Sequence, residues 1–77
     1  MTLEIISAFE VSFKGEVDAV TLPGEMGSFT VLRNHAAIIS VLSEGDVIYK
    51  QGEEEHSIHI KGGIADVNNN VISVCIY

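Results

Sequence analysis

Short runs rich in Val, Ile, Phe and Tyr, broken every several residues by turn-forming pairs, extend along the whole of this chain. That spacing constrains the fold to an all-β meander, because β-branched and aromatic side chains suit a pleated surface and turn formers end each run. Strands are expected near Thr2 to Ser7, Val11 to Phe13, Val17 to Leu22, Ser28 to Leu32, Ala37 to Leu42, Val47 to Lys50, His56 to Lys61 and Ile64 to Val67, with a ninth from Val71 to Tyr77. Lys14-Gly15, Pro23-Gly24, Glu44-Gly45-Asp46, Gln51-Gly52 and Asn68-Asn69-Asn70 supply residues that tolerate turn dihedrals or bond their own backbone, so hairpins are expected there. Ile58 and Ile60 alternate with Ser57, His59 and Lys61, and Ile72, Val74 and Ile76 alternate with Val71, Ser73 and Cys75. This is the period of strands with one drier face. The Gly-free stretch from Ser28 to Glu44 is too rich in β-branched residues to make a helix. The pattern predicts an all-β fold of eight or nine strands in two packed sheets, as one domain over residues 1–77.

With 47% apolar and 19% charged residues, the chain has enough to build a core and too little charge to stay disordered. So small a domain leaves apolar surface near water, and a partner surface would help it. The net charge of −7 repels phosphate backbones, which excludes nucleic acid, and also opposes direct binding to an anionic bilayer. Cys75 is the only cysteine, so no internal disulfide forms, and a reducing compartment is favoured. The start MTLEIISAFE does not read as a signal peptide, and no run approaches the ~18 apolar residues of a membrane span.

His56 and His59, with Glu54 and Glu55, raise the question of a metal. Residues three apart on a strand point to opposite faces, however, so the pair reads as exposed strand histidines. Glu53, Glu54 and Glu55 form a solvated hairpin end whose charge discourages edge pairing. Gly24, Gly27 and the pair Gly62-Gly63 lack the spacing of a phosphate-binding loop, and Glu25 and Asp66 beside them have the wrong sign. Cys75, Ser28 and Ser40 are nucleophiles by type, but no spacing couples them to a histidine base. No catalytic, cofactor-binding or metal site is expected; the chain reads as a binding surface.

The stretch TLPGEMGSFTVLRNHAAIISVLSEGDVIY resembles the signature of the epsilon subunit family of F-type ATP synthases. Gly24-Glu25-Met26-Gly27, Val31-Leu32, Asn34-His35-Ala36 and Ile38-Ile39 fill its motif positions. Phe13-Lys14-Gly15-Glu16-Val17, Gly62-Gly63-Ile64-Ala65-Asp66-Val67 and Asn70-Val71-Ile72-Ser73-Val74 resemble the flanking segments, in order and at similar spacing. Arg33 and Ala37 stand where that family commonly has proline, and the turn Ser7-Ala8-Phe9-Glu10 lacks its usual Pro-x-Gly character.

The resemblance implies the N-terminal β-sandwich domain of such a subunit, an all-β, flattened β-sandwich of about eight to ten mostly antiparallel strands, without the C-terminal helical pair that many members carry. It implies a non-catalytic central-stalk rotor subunit that links gamma to the membrane c-ring and couples proton flow to ATP synthesis. By similarity, Gly24, Glu25, Met26 and Gly27 would meet the c-ring, and Ser7, His35, Ala36 and Ser40 would lie near gamma. Its expected location is the cytoplasmic face of the bacterial inner membrane, held there through protein partners, with the isolated chain monomeric or weakly associating. Lacking the helical pair, the chain is not expected to bind ATP. The alternative is a free-standing β-sandwich that binds a small ligand or carbohydrate on a concave face with exposed aromatics.

Overall fold

The computed structural model describes residues Met1–Tyr77. Nine strands form, with no helix: β1 (Thr2–Ile6), β2 (Val11–Glu16), β3 (Ala19–Gly24), β4 (Gly27–Leu32), β5 (Ile38–Leu42), β6 (Gly45–Gln51), β7 (Glu54–Ile60), β8 (Gly63–Asn68) and β9 (Val71–Ile76). They make a sheet that folds over on itself into two layers. One layer holds the order β2-β1-β9-β8-β5 and the other the order β4-β3-β6-β7. All pairings are antiparallel except β1 with β9.

The fold-over happens at a corner. β5 belongs to the first layer through β8, and only Ser43 and Glu44 separate it from β6, which pairs with β3 in the second. β3 touches both layers, through Thr21↔Ile48 on one side of the bend and the single pair Gly24↔Leu42 on the other. Strands that switch layers at such bends are how sandwiches turn their corners.

Period-2 alternation then fills the space between the layers. Leu3 and Ile5 of β1, Ala65 and Val67 of β8, and Ile72 and Val74 of β9 point inward from one side. Val20 and Leu22 of β3, Val31 of β4 and Val47 and Tyr49 of β6 meet them from the other, within a core of 15 buried apolar residues. This core extends to Phe13, whose ring lies 4.4 Å from that of Tyr49.

The turns account for where strands stop. Asn69 and Asn70, at φ 51° and 61°, form the two-residue link between β8 and β9, the conformation a tight hairpin with right-handed twist demands. Gly63 lies so close to the carbonyl of Cys75 that any Cβ there would strike the neighbouring backbone.

Three expected turns are placed differently. Lys14-Gly15 lies inside β2, because Lys14 pairs with Glu4 at 3.7 Å and Gly15 stands opposite Leu3, so the ladder to β1 outweighs local turn preference. Pro23-Gly24 ends β3, and the reversal falls on Glu25 and Met26. Gly45 and Asp46 belong to β6, so the turn falls on Ser43 and Glu44 instead. Val17, expected to begin a strand, is instead a buried link between β2 and β3, its N–H donating to the Met1 carbonyl at 2.8 Å.

Candidate docking surfaces

Strand direction gathers chemistry at the two ends of the sandwich. One end carries the β1–β2 turn, the Glu25–Met26 tip, the Ser43–Glu44 turn, the β7–β8 link and Tyr77. Three large apolar side chains stand in solvent there: Phe9 is 96% exposed, Met26 99% and Tyr77 83%. The other end carries the β4–β5 connection, the β6–β7 turn and the asparagine turn.

The expected contact turn is held firmly while its side chains stay free. The Glu25 N–H donates to the Val41 carbonyl at 2.9 Å, and the Ser43 N–H donates to the Pro23 carbonyl at 2.9 Å. Gly24 and Gly27 pair across the hairpin, so Glu25 and Met26 project from a rigid base. Gly24, Glu25, Met26 and Gly27 are thus brought together as one tip.

Ser7, His35, Ala36 and Ser40 are not brought together as one patch. Ser7 organises the β1–β2 turn, accepting at its hydroxyl from the Phe9 and Glu10 N–H groups at 3.3 Å. His35 and Ala36 lie at the opposite end, in a connection tied down by reciprocal asparagines: the Asn34 N–H donates to Asn70 Oδ1 at 2.6 Å, and Asn70 Nδ2 donates to Asn34 Oδ1 at 3.1 Å. Ser40 is half-buried in the middle of β5.

The surface that sequence reasoning missed is a row of side chains crossing the outer face of the five-stranded layer. Val41 stands opposite Ile64, Ile64 opposite Cys75, Cys75 opposite Ile6 and Ile6 opposite Val11. Five strands therefore each contribute one apolar or thiol side chain to a continuous line roughly 19 Å long, at about 4.8 Å per strand spacing. A bulge between Ile5 and Ile6 makes the line possible, because it turns Val11 outward while Phe13 packs on the core. The adjacent row, Ile39, Asp66, Ser73, Glu4 and Lys14, is mostly polar. Ser40 precedes Val41 but stands opposite Ala65, in the row that Val74 and Ile5 continue on the core side, and Ser7 follows Ile6 in the β1–β2 turn.

Strand alternation separates the two histidines as expected. His56 stacks on the Tyr49 ring with centroids 5.3 Å apart, while His59 faces Asp46 and Glu44 on the outer side. Hydrogen bonds to Asp46 and then Glu44 raise the His59 pKa above its ordinary 6.5, against a smaller opposing effect of desolvation. The open groove of about 480 Å³ is lined by Ala37, Ile38, Ile39, Asp66, Val67 and Asn68. It presents no aromatic platform, which the ligand- or carbohydrate-binding alternative requires.

Comparison with known proteins converges on one family. Residues 1–76 match the model of "ATP synthase, Delta/Epsilon chain, beta-sandwich domain". The ATP synthase epsilon chain of Leptospira borgpetersenii is 34% identical over 74 residues, covering 96% of this chain and 58% of that protein. The epsilon chain of Nitratidesulfovibrio vulgaris is 38% identical over 72 residues, covering 94% and 54% respectively. This chain therefore spans little more than half the length of these relatives. In structure it is similar to a chain of the mitochondrial ATP synthase of Euglena gracilis, solved with its c-ring, with a TM-score of 0.88, 27% identity and coverage of 96% of this chain and 48% of that one. A chain from the central stalk and c-ring of the Tetrahymena thermophila mitochondrial ATP synthase shares the fold, with a TM-score of 0.82 at 13% identity and coverage of 99% and 62%.

Proposed function

Because this chain belongs to the delta/epsilon-chain β-sandwich family of ATP synthase, we propose that it works as a non-catalytic rotor linker between the gamma subunit and the membrane c-ring. Rotation would couple to proton flow through a rigid body that binds both partners and makes or breaks no covalent bond.

The observation that carries this reading is the pairing of two distinct surfaces on one stiff sandwich. The Gly24–Gly27 tip, with Glu25 and Met26 projecting from a hydrogen-bonded base, suits the polar loops of a c-ring. The apolar line from Val41 to Val11, bordered on the same face by Asp66, Ser73, Glu4 and Lys14, suits the broader grip on gamma; Ser7 lies at the adjoining turn, and His35 and Ala36 would extend that contact toward the far end. An apolar line rimmed by polar residues is the usual anatomy of a protein docking face. No helix is long and apolar enough to cross a membrane. Association with the cytoplasmic face of the bacterial inner membrane would therefore run through the two partners.

The test is direct binding. Mixing this chain with a matching gamma subunit should give a co-eluting complex and raise the chain's melting temperature. Absence of a complex by size exclusion and calorimetry at tens of micromolar, well above the ~1 μM that corresponds to about −8 kcal/mol, would defeat the reading.

A further inference from the structure

His59 sits on the outer face of β7, directly opposite Asp46 of β6. Its Nδ1 lies 2.8 Å from Asp46 Oδ1 and its Nε2 lies 3.1 Å from Glu44 Oε2. An ionised carboxylate only accepts hydrogen bonds, and a neutral imidazole has a single N–H to donate. Both contacts are satisfied at once only by the doubly protonated ring, so the geometry is that of the imidazolium.

The ring thereby joins β7, β6 and the Ser43–Glu44 turn. That turn in its own right braces the contact tip. Ser43 donates to the Pro23 carbonyl through both its N–H at 2.9 Å and its hydroxyl at 3.3 Å. Gly45 packs so closely on Pro23 that a Cβ there would lie 2.7 Å from the proline Cβ. A mechanical path therefore runs from His59 through Glu44 and Ser43 to the base of the Gly24–Gly27 hairpin.

We propose that His59 is a proton-operated latch that sets how firmly the Ser43–Glu44 turn, and through it the Gly24–Gly27 tip, is held to the rest of the sandwich. Asp46 from β6 and Glu44 from the turn are the charges that face it, and both favour the protonated ring. β3 and β4, which complete this layer, carry no titratable side chain. On the same hairpin, Lys50 stands opposite Glu55 farther along, and Lys61 follows His59 by two residues with a charge that opposes protonation. When the proton leaves, one nitrogen must give up its carboxylate. Glu44 is the freer partner, being in a turn, so its arm opens and the end of the molecule that carries Glu25 gains one net negative charge. On the rotor reading above, this loosening would reach the c-ring contact, but the latch itself belongs to the chain alone.

An NMR titration of the 77-residue chain tests it without any partner, so its failure and that of the rotor reading are separable. The His59 imidazole should titrate at higher pH in the folded chain than in the urea-unfolded chain. The backbone amides of Ser43, Glu44, Gly45 and Glu25 should shift with the same midpoint. Glu44→Gln should lower the His59 midpoint, and His59→Gln should abolish the amide shifts while the spectrum elsewhere stays dispersed. Equal midpoints in folded and unfolded chains would overturn the proposal, as would amides at residues 43–45 and 25 that ignore the His59 titration.

Discussion

The two outer faces of the sandwich are built on the same inward chemistry and present opposite chemistry to their surroundings. Each layer sends mainly Val, Leu and Ile inward, with Phe13, Tyr49 and Ala65 among them. Outward, the five-stranded layer shows the line Val41, Ile64, Cys75, Ile6 and Val11, whereas the four-stranded layer shows Thr30, Thr21, Ile48 and Ser57 in register. There Thr21 and Thr30 hydrogen-bond hydroxyl to hydroxyl at 2.9 Å. Leu32 is exposed on that second face, but its row continues through Ala19, Lys50 and Glu55 and builds no line. The inner alternation builds the fold, and the difference outside marks which face a partner would cover.

The two layers should contribute equally to the shared core. Leu3 of β1 and Leu22 of β3 are both fully buried, one from each layer. Leu3→Ala and Leu22→Ala should each destabilise by about 2–5 kcal/mol, the usual range for a leucine cavity. Urea denaturation of the two variants checks this, and a layer that tolerates the change would not be sharing the core. The outer sides should then separate on binding. On the proposed rotor reading, Ile64→Asp should weaken gamma binding by about 2 kcal/mol, near thirtyfold, as a change at the centre of an interface does. Its cost to folding should stay within about 1 kcal/mol. Ser57→Asp, on the other face, should leave calorimetric affinity unchanged, and equal losses from both would erase the distinction between faces. Smaller still, Thr21→Val removes the hydroxyl pair with Thr30 and should cost about 0.5–1 kcal/mol of stability without touching gamma binding.

Alternation made the strands legible from sequence, since Ile72 and Val74, or Ile58 and Ile60, repeat at the period that burial later follows. Glycine and proline misled where a ladder overrode them. Gly15 lies within β2 and Pro23 within β3, because pairing with Leu3 and Ser28 holds these positions extended. The tip was legible as a local motif, its four residues being consecutive. The apolar line was not, because its members come from five strands and meet only through four registers, one of them parallel and one shifted by the bulge. No local pattern around Ile6 or Cys75 carries that information. The proposed latch was hidden for the same reason: His59 reads as an exposed strand histidine until register places Asp46 opposite and the corner brings Glu44 over it.

The last and smallest difference between the faces is electrostatic. The titratable switch lies on the polar face, in the His59 cluster, and contributes to stability with a definite sign. Its pKa is raised in the folded chain above 6.5 by hydrogen bonds to Asp46 and Glu44. A raised pKa means the folded state binds the proton more tightly than the unfolded state does. The contribution is therefore fully present below the unfolded value of 6.5 and is lost as pH rises through the folded value. The ring is exposed, so solvent and salt screen its pairs and the effect stays small. The measurement is the gap in urea midpoint between the parent chain and His59→Gln, followed upward from pH ~5, where carboxylates are still largely ionised. The gap should be widest on the acid side, close as pH rises, and shrink throughout in high salt. A gap of constant size across the whole range would mean that the glutamine loses packing rather than charge, and the polar face would then carry no proton-dependent element.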